Sequence, residues 1–143
     1  MSEKGSDSKE IHKYCDNKGP TLVLIKTTKN KIFGGFTPLN WENKGEYIVD
    51  ESNQTFIFSL NLMKSYDMII SKKKAIFCDD RGPTFGAGDI LLSKNLKNGN
   101  SYANSQCNFL SNNNLELTGG FGENQSFETE EIEVFKVIYW LNF

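Results

Sequence analysis

The stretch from Thr21 to Thr37 constrains the fold more than any other part of the chain. Thr21–Thr27 (TLVLIKT) and Lys31–Thr37 (KIFGGFT) are dense in β-branched and aromatic residues and flank a polar Thr28-Lys29-Asn30. Such side chains fit a pleated, half-buried surface, and a three-residue polar connection turns one strand back on the next, so a hairpin is expected. Similar short segments follow. Tyr47–Asp50, Gln54–Leu60 (Phe56, Phe58 and Leu60 on one face), Tyr66–Ser71, Ala75–Cys78, Asp89–Ser93, Asn108–Leu110 and Leu115–Leu117 read as strands, with Lys72-Lys73-Lys74 as a turn. The last segment, Glu131–Trp140, puts Ile132, Val134, Lys136 and Ile138 on one face and Glu133, Phe135, Val137 and Tyr139 on the other. Both faces are largely apolar, which predicts a strand covered on both sides. Many short strands with regular turn signals predict a mostly β (α+β) fold: a two-sheet antiparallel β-sandwich with a short N-terminal helix and room for other edge helices.

That helix is expected after Ser6, Asp7 and Ser8, whose side chains suit an N-cap, with Ile11 and Cys15 one turn apart as its buried stripe. Gly19 can take the left-handed position past its end, and Pro20 forbids continuation. The organisation expected is a flexible lead-in over 1–7 and one domain over 8–143, since a single core organises about 100–200 residues. Hydrophobic residues are 38% of the chain and include eleven Phe, sufficient for a core without metals or disulfides. A net charge of −2 offers no basic excess to hold a phosphate backbone, so no nucleic-acid partner is expected. The N-terminus lacks a signal-peptide pattern, and the apolar Val134–Leu141, interrupted by Lys136, is far short of the roughly 20 residues that span a bilayer. Cys15, Cys78 and Cys107, odd in number and widely spaced, form no disulfide framework and read as reduced, buried residues of a cytoplasmic protein.

Candidate chemistry is sparse. His12 is the sole histidine, and although Cys15 lies at i+3, no further His or nearby Cys completes a tetrahedral metal set in the sequence, so no metal and no cofactor are expected. A Cys–His nucleophile is the competing reading of that pair. Asp79–Asp89 (DDRGPTFGAGD) concentrates carboxylates and glycines but matches neither a calcium loop nor a phosphate-binding motif. It reads as a tight loop in which glycines supply positive φ and Phe85 plugs the core. Gly34-Gly35 within a strand signals a bulge or a close approach, by Trp41 or another strand, and Gly119-Gly120-Phe121-Gly122 reads as a loop of the same kind. Glu133 stands out because its carboxylate shares a face with Phe135, Val137 and Tyr139. It is expected either to pair with a loop amide or with Arg81, the sole arginine, or to serve as a base or a partner-docking charge. The acidic run Glu128, Glu130 and Glu131 reads as a solvated edge or a dock for a basic surface.

In order along the chain, YCDNKGPTLVLIKTTKNKIFGGFT, Trp41, QTFIFSL, GPTFGAGDILL and EIEVFKV resemble the TLDc domain of the oxidation-resistance proteins, from Ile11 to Val137. Gly19, Pro20, Thr21, Phe33, Gly34, Gly35, Trp41, Gly82, Pro83, Phe85, Gly86, Asp89 and Glu133 match the family's motifs. The resemblance implies a sandwich of two antiparallel sheets with edge helices, a role in oxidative-stress resistance, and binding to the proton-pumping V-ATPase; it implies no catalytic mechanism. Family domains begin with helices and a strand ahead of the helix that here opens near Ser8. The expectation is therefore a fragment, or a reduced form with an uncovered sheet edge.

The function expected is a non-catalytic interaction module linked to oxidative-stress resistance, with protein partners that include V-ATPase subunits. Glu133, Asp89 and Arg81 are its candidate binding residues, and Gly19, Pro20, Gly34, Gly35, Trp41, Gly82, Pro83, Phe85 and Gly86 its structural ones. Two alternatives compete: a weak redox or hydrolytic enzyme using Glu133, Cys15 or Cys78, and a small-ligand binder at Gly82–Asp89.

Overall fold

A computed structural model of the chain describes residues 2–3, 7–69, 74–96, 100–103, 109 and 126–138. The elements are β1 (Ser2–Glu3), helix α1 (Ser8–Cys15), β2 (Thr21–Thr27), β3 (Ile32–Thr37), β4 (Glu46–Val49), β5 (Phe56–Ser59), β6 (Lys64–Asp67), β7 (Lys74–Cys78), β8 (Thr84–Phe85), β9 (Ile90–Leu91), β10 (Ser101–Tyr102), β11 (Ser126–Phe127) and β12 (Thr129–Lys136). One sheet has the order β1-β12-β2-β3-β5-β6, the other β11-β10-β9-β8-β7-β4, and the pairings between these strands are antiparallel. This is the mostly β, two-sheet architecture that the residue pattern predicts. The strands expected at Asn108–Leu110 and Leu115–Leu117, the 70–73 part of the lysine turn, Cys107 and the glycines at 119–122 lie outside the described residues, apart from Phe109, which bridges Met68.

The first hairpin forms where its composition places it, with Thr21 opposite Thr37 and Lys26 opposite Ile32. Asn30 takes φ 61° to close the turn, a conformation its short polar side chain tolerates. Burial alternates along β2, and Val23 and Ile25 point into the core. In β3, Phe33 meets Phe127 of the other sheet edge-on at 5.1 Å, so this aromatic pair spans the two layers. The two glycines beside it serve close approach. A Cβ on Gly35 would lie 2.6 Å from the Phe85 ring, and one on Gly34 would collide with the Val23 carbonyl. Phe85, not Trp41, is the neighbour of Gly35; Trp41 meets Phe85 edge-on at 5.3 Å and donates Nε1–H to Thr21 Oγ1 at 2.8 Å.

One expectation about faces holds and one changes. In β5, Phe56 and Phe58 share a face, where Phe56 packs on Phe36 at 5.5 Å, while Ile57 points inward and Leu60, past the strand, is exposed. In β12 the buried residues are Thr129, Ile132 and Val134, while Phe135 is 39% exposed and Ile138, past its end, 70%, so this strand is covered on one side and not on both. Apolar residues on both faces of a terminal strand do not distinguish coverage from exposure, because much of any folded surface is apolar.

Helix α1 is capped by Asp7, which accepts from Lys9 N–H at 2.9 Å, and it buries Ile11 and Cys15 as expected. At eight residues it is too short to persist alone, so docking holds it. Ser8 donates its backbone N–H to Lys94 O at 3.0 Å and its hydroxyl to Asp80 O at 2.7 Å. Past the helix, Asn17 (φ 56°) is the first left-handed residue, ahead of Gly19 (φ 73°). Within the 1–7 stretch, Ser2–Glu3 pair with β12 and Asp7 bridges Asn95. The connection from β4 to β5 carries the chain from one sheet to the other, and buried Asp50 organises it. Its two oxygens accept from Ser52 N and Oγ, Gln54 N, and Thr55 N and Oγ1.

Candidate functional site

The densest group of reactive side chains lies where α1 meets the end of β7. His12 and Asp16, four residues apart, share one face of the helix and its C-cap, so helical geometry alone brings them together. Their Nδ1 and Oδ1 atoms are 2.9 Å apart. Packing of α1 on β7 adds Cys78, with Sγ 4.0 Å from His12 Nδ1 and 3.9 Å from Asp16 Oδ1. On its other side the imidazole is anchored: Nε2 lies 2.7 Å from the Arg81 carbonyl oxygen. A carbonyl only accepts, so Nε2 carries a proton and donates it. The atom facing Asp16 and Cys78 is therefore Nδ1. The cysteine that completes this group with His12 is Cys78, not its helical neighbour Cys15.

The charges follow from this placement. Burial opposes a charge on His12, but the hydrogen bond to Asp16 and the Arg81 carbonyl outweigh it and raise its pKa above 6.5. The Cys78 thiol is pushed up to about 12, first by burial and then by the negative charges of Asp16 and Asp79. Cys15 is raised as well, again mainly by burial. Neither thiol is poised as a thiolate nucleophile, since activation requires a depressed pKa. Beside the group, a cavity of about 390 Å³ is lined by Lys9, His12, Asn43, Asp80 and Lys94.

Arg81 does not reach Glu133. Its guanidinium binds Asp79 instead, with Nη2 at 2.9 Å and Nε at 3.1 and 3.0 Å, and covers the Phe77 ring at 5.4 Å. Burial disfavours the Asp79 carboxylate, but the Arg81 hydrogen bonds prevail and hold its pKa below the usual value. Glu133 is half-buried on the outer side of its strand, opposite Leu24 in β2 and Ser2 in β1. Asp89 is fully buried and accepts from Phe109 N–H at 3.1 Å, so it has no surface to offer a partner.

The glycine-rich loop is spent on packing. Thr84–Phe85 and Ile90–Leu91 pair as a tight hairpin, with Gly86 (φ 65°) and Gly88 (φ 111°) turning the chain. A Cβ on Gly86 would collide with the Asp89 carboxylate, and one on Gly82 would lie 2.6 Å from Leu92 Cβ. Pro83 and Phe85 are buried. The more open surface is at β4, the outermost described strand of its sheet, where Tyr47 and Val49 are each 45% exposed. A cavity of about 400 Å³ lies there, lined by Leu39, Asn40, Glu42, Lys44 and β4 itself.

Asp16 was not among the sequence candidates, and Cys78 was one only as a lone redox residue, apart from His12. The i,i+4 spacing of His12 and Asp16 was a usable signal, whereas Cys78 joins them only through tertiary packing.

Comparison with known proteins places these features in context. A family model described as the TLDc domain matches residues 1–138. Two curated relatives are each named MTOR-associated protein MEAK7. The one from Danio rerio is 44% identical over 46 residues, covering 32% of this chain and 10% of the relative. The one from Gallus gallus is 38% identical over 56 residues, covering 39% and 12%. The aligned stretch thus spans about a tenth of the length of these relatives.

Proposed function

The chain belongs to the TLDc domain family, and from that premise we propose that it is a non-catalytic protein-interaction module that serves oxidative-stress resistance by binding V-ATPase subunits in the cytoplasm. One observation carries the reading: most of the residues that mark the family are consumed in packing. Gly34, Gly35, Trp41, Gly82, Phe85, Gly86 and Asp89 shape the interior and its tight turns, so the motifs build a scaffold and leave recognition to its surface. On that surface Glu133 is the docking charge on the first sheet, and β4, with exposed Tyr47 and Val49, offers a sheet edge to which a partner strand can add. Arg81 supplies a second accessible charge. No described helix is long and apolar enough to cross a membrane. The name of the MEAK7 relatives favours a second reading, an mTOR-containing assembly as the partner.

The test is affinity capture from cell extract on the immobilised chain, with immunodetection of V-ATPase subunits and of mTOR. Recovery of V-ATPase subunits by the wild type, and their loss with a folded Glu133→Ala variant, supports the first reading. Recovery of mTOR without V-ATPase supports the second. Peroxide consumption by the purified chain that disappears on Cys78→Ser or Cys15→Ser overturns the non-catalytic assignment.

A further inference from the structure

We propose that His12 Nδ1, Asp16 Oδ1 and Cys78 Sγ form a three-donor site for a divalent cation of the zinc class, with a fourth position left to water or another exogenous donor. Imidazole, carboxylate and thiolate are the donor types that such a borderline-soft ion accepts together. The three donor atoms lie within 4.8 Å of one another, with Cys78 buried and His12 and Asp16 half-buried. Tetrahedral zinc, with bonds of about 2.0 Å to nitrogen and oxygen and 2.3 Å to sulfur, has an N–O edge of about 3.3 Å and edges to sulfur of about 3.5 Å. The separations here are 2.9 Å for Nδ1–Oδ1 and 4.0 and 3.9 Å to sulfur. Each differs from the ideal by no more than about 0.5 Å, within the reach of small side-chain rotations.

The independent observation is how the ring is held: Nε2–H is committed to a carbonyl, and the Nδ1 proton that bonds Asp16 is the one an ion would displace. Metal-binding histidines characteristically donate their second ring N–H to a carbonyl or carboxylate, which fixes the ring and directs the other nitrogen at the ion. His12 does this through Nε2 and the Arg81 carbonyl at 2.7 Å. A Cys78 thiolate and the Asp16 carboxylate would balance the ion's two positive charges, so the half-buried group becomes neutral. The side chains of His12 and Asp16 are 13% and 23% exposed, and the cavity beside His12 gives an entry path. Because His12 lies in α1, Asp16 caps its C-terminus and Cys78 lies in β7, the ion would pin the helix to the sheet. This goes beyond the interaction-module reading and does not depend on it.

Cobalt(II) tests the site as an optical stand-in for zinc, using the purified full chain after chelator treatment. The expected result is binding of one cobalt per chain, with thiolate-to-cobalt charge-transfer absorption in the near ultraviolet and intense visible bands of four-coordinate cobalt, both removed by zinc. Cys78→Ser abolishes the charge-transfer band, Cys107→Ser keeps it, and His12→Gln or Asp16→Asn weakens cobalt binding on the order of 100-fold. Circular dichroism checks that each variant is folded. Absence of the band in the wild type, or its persistence in Cys78→Ser, overturns the proposal. Should Cys78→Ser not fold, Asp16→Asn decides through its partly exposed side chain, and unchanged cobalt affinity refutes the site.

Discussion

Replacing Asp50 by Asn keeps the size of the side chain and removes its charge, which isolates what the carboxylate does. Asp50 is 1% exposed and accepts five hydrogen bonds at the crossing between the sheets. An amide has one oxygen, so its NH2 must face either Ser52 N–H or the pair Gln54 and Thr55 N–H. The first orientation is the better one, because the Ser52 hydroxyl can rotate to accept. Even so, the part-buried Ser52 N–H loses its acceptor, at about 1–3 kcal/mol, and the remaining bonds lose charge assistance worth roughly 1 kcal/mol. The sum is about 2–4 kcal/mol, and at 2–4 °C per kcal/mol for a domain of this size Tm falls by roughly 5–15 °C. Differential scanning calorimetry near neutral pH measures it. Acid supplies an internal control. Burial raises the Asp50 pKa, but the Ser52 and Thr55 hydrogen bonds outweigh it and hold it below 3.8. A depressed folded pKa contributes stability that is present above the unfolded value and is lost as pH falls through the folded one. The difference between wild type and Asp50→Asn therefore shrinks below about pH 4. A Tm change under about 2 °C at neutral pH, or a gap that widens in acid, refutes the assignment of Asp50 as the organiser of this loop.

Gly86→Ala and Gly45→Ala form a matched pair. Both sites have positive φ, 65° and 66°, but a Cβ at Gly86 collides with Asp89 while one at Gly45 meets nothing within 4 Å. Denaturant unfolding should show a loss of about 1–2 kcal/mol at Gly45 from φ strain alone, and at least about 1 kcal/mol more at Gly86; equal losses would remove Asp89 from the explanation. Cys78, with its pKa near 12, should resist maleimide in the folded metal-free chain. In a Cys15→Ser, Cys107→Ser background at pH 8, its thiolate fraction is about 10⁻⁴, and alkylation should run roughly a thousand-fold slower than for a free cysteine. A near-normal rate with the fold intact contradicts that environment.

The composition of Thr21–Thr37 determined its hairpin, because β-branched side chains and a short polar turn act over nearest neighbours. The Asp7 cap, the Ile11 and Cys15 stripe and the core position of Phe85 were legible for the same local reason. The motif order likewise identified the family before any coordinates. What tertiary structure decided was which faces are covered and which distant residues meet. Periodicity separates two faces of a strand but does not say which one another layer will cover, so Phe135 was expected inside and lies outside, and Ile57 was missed as the inward residue of β5. Asp50 read as the last residue of the Tyr47–Asp50 strand, whereas it lies past β4, buried at the sheet crossing. Only the packing of α1 on β7 carries Cys78, 66 residues from His12, to the imidazole. A contact of that separation depends on the whole fold being in place, and no pattern within either segment encodes it.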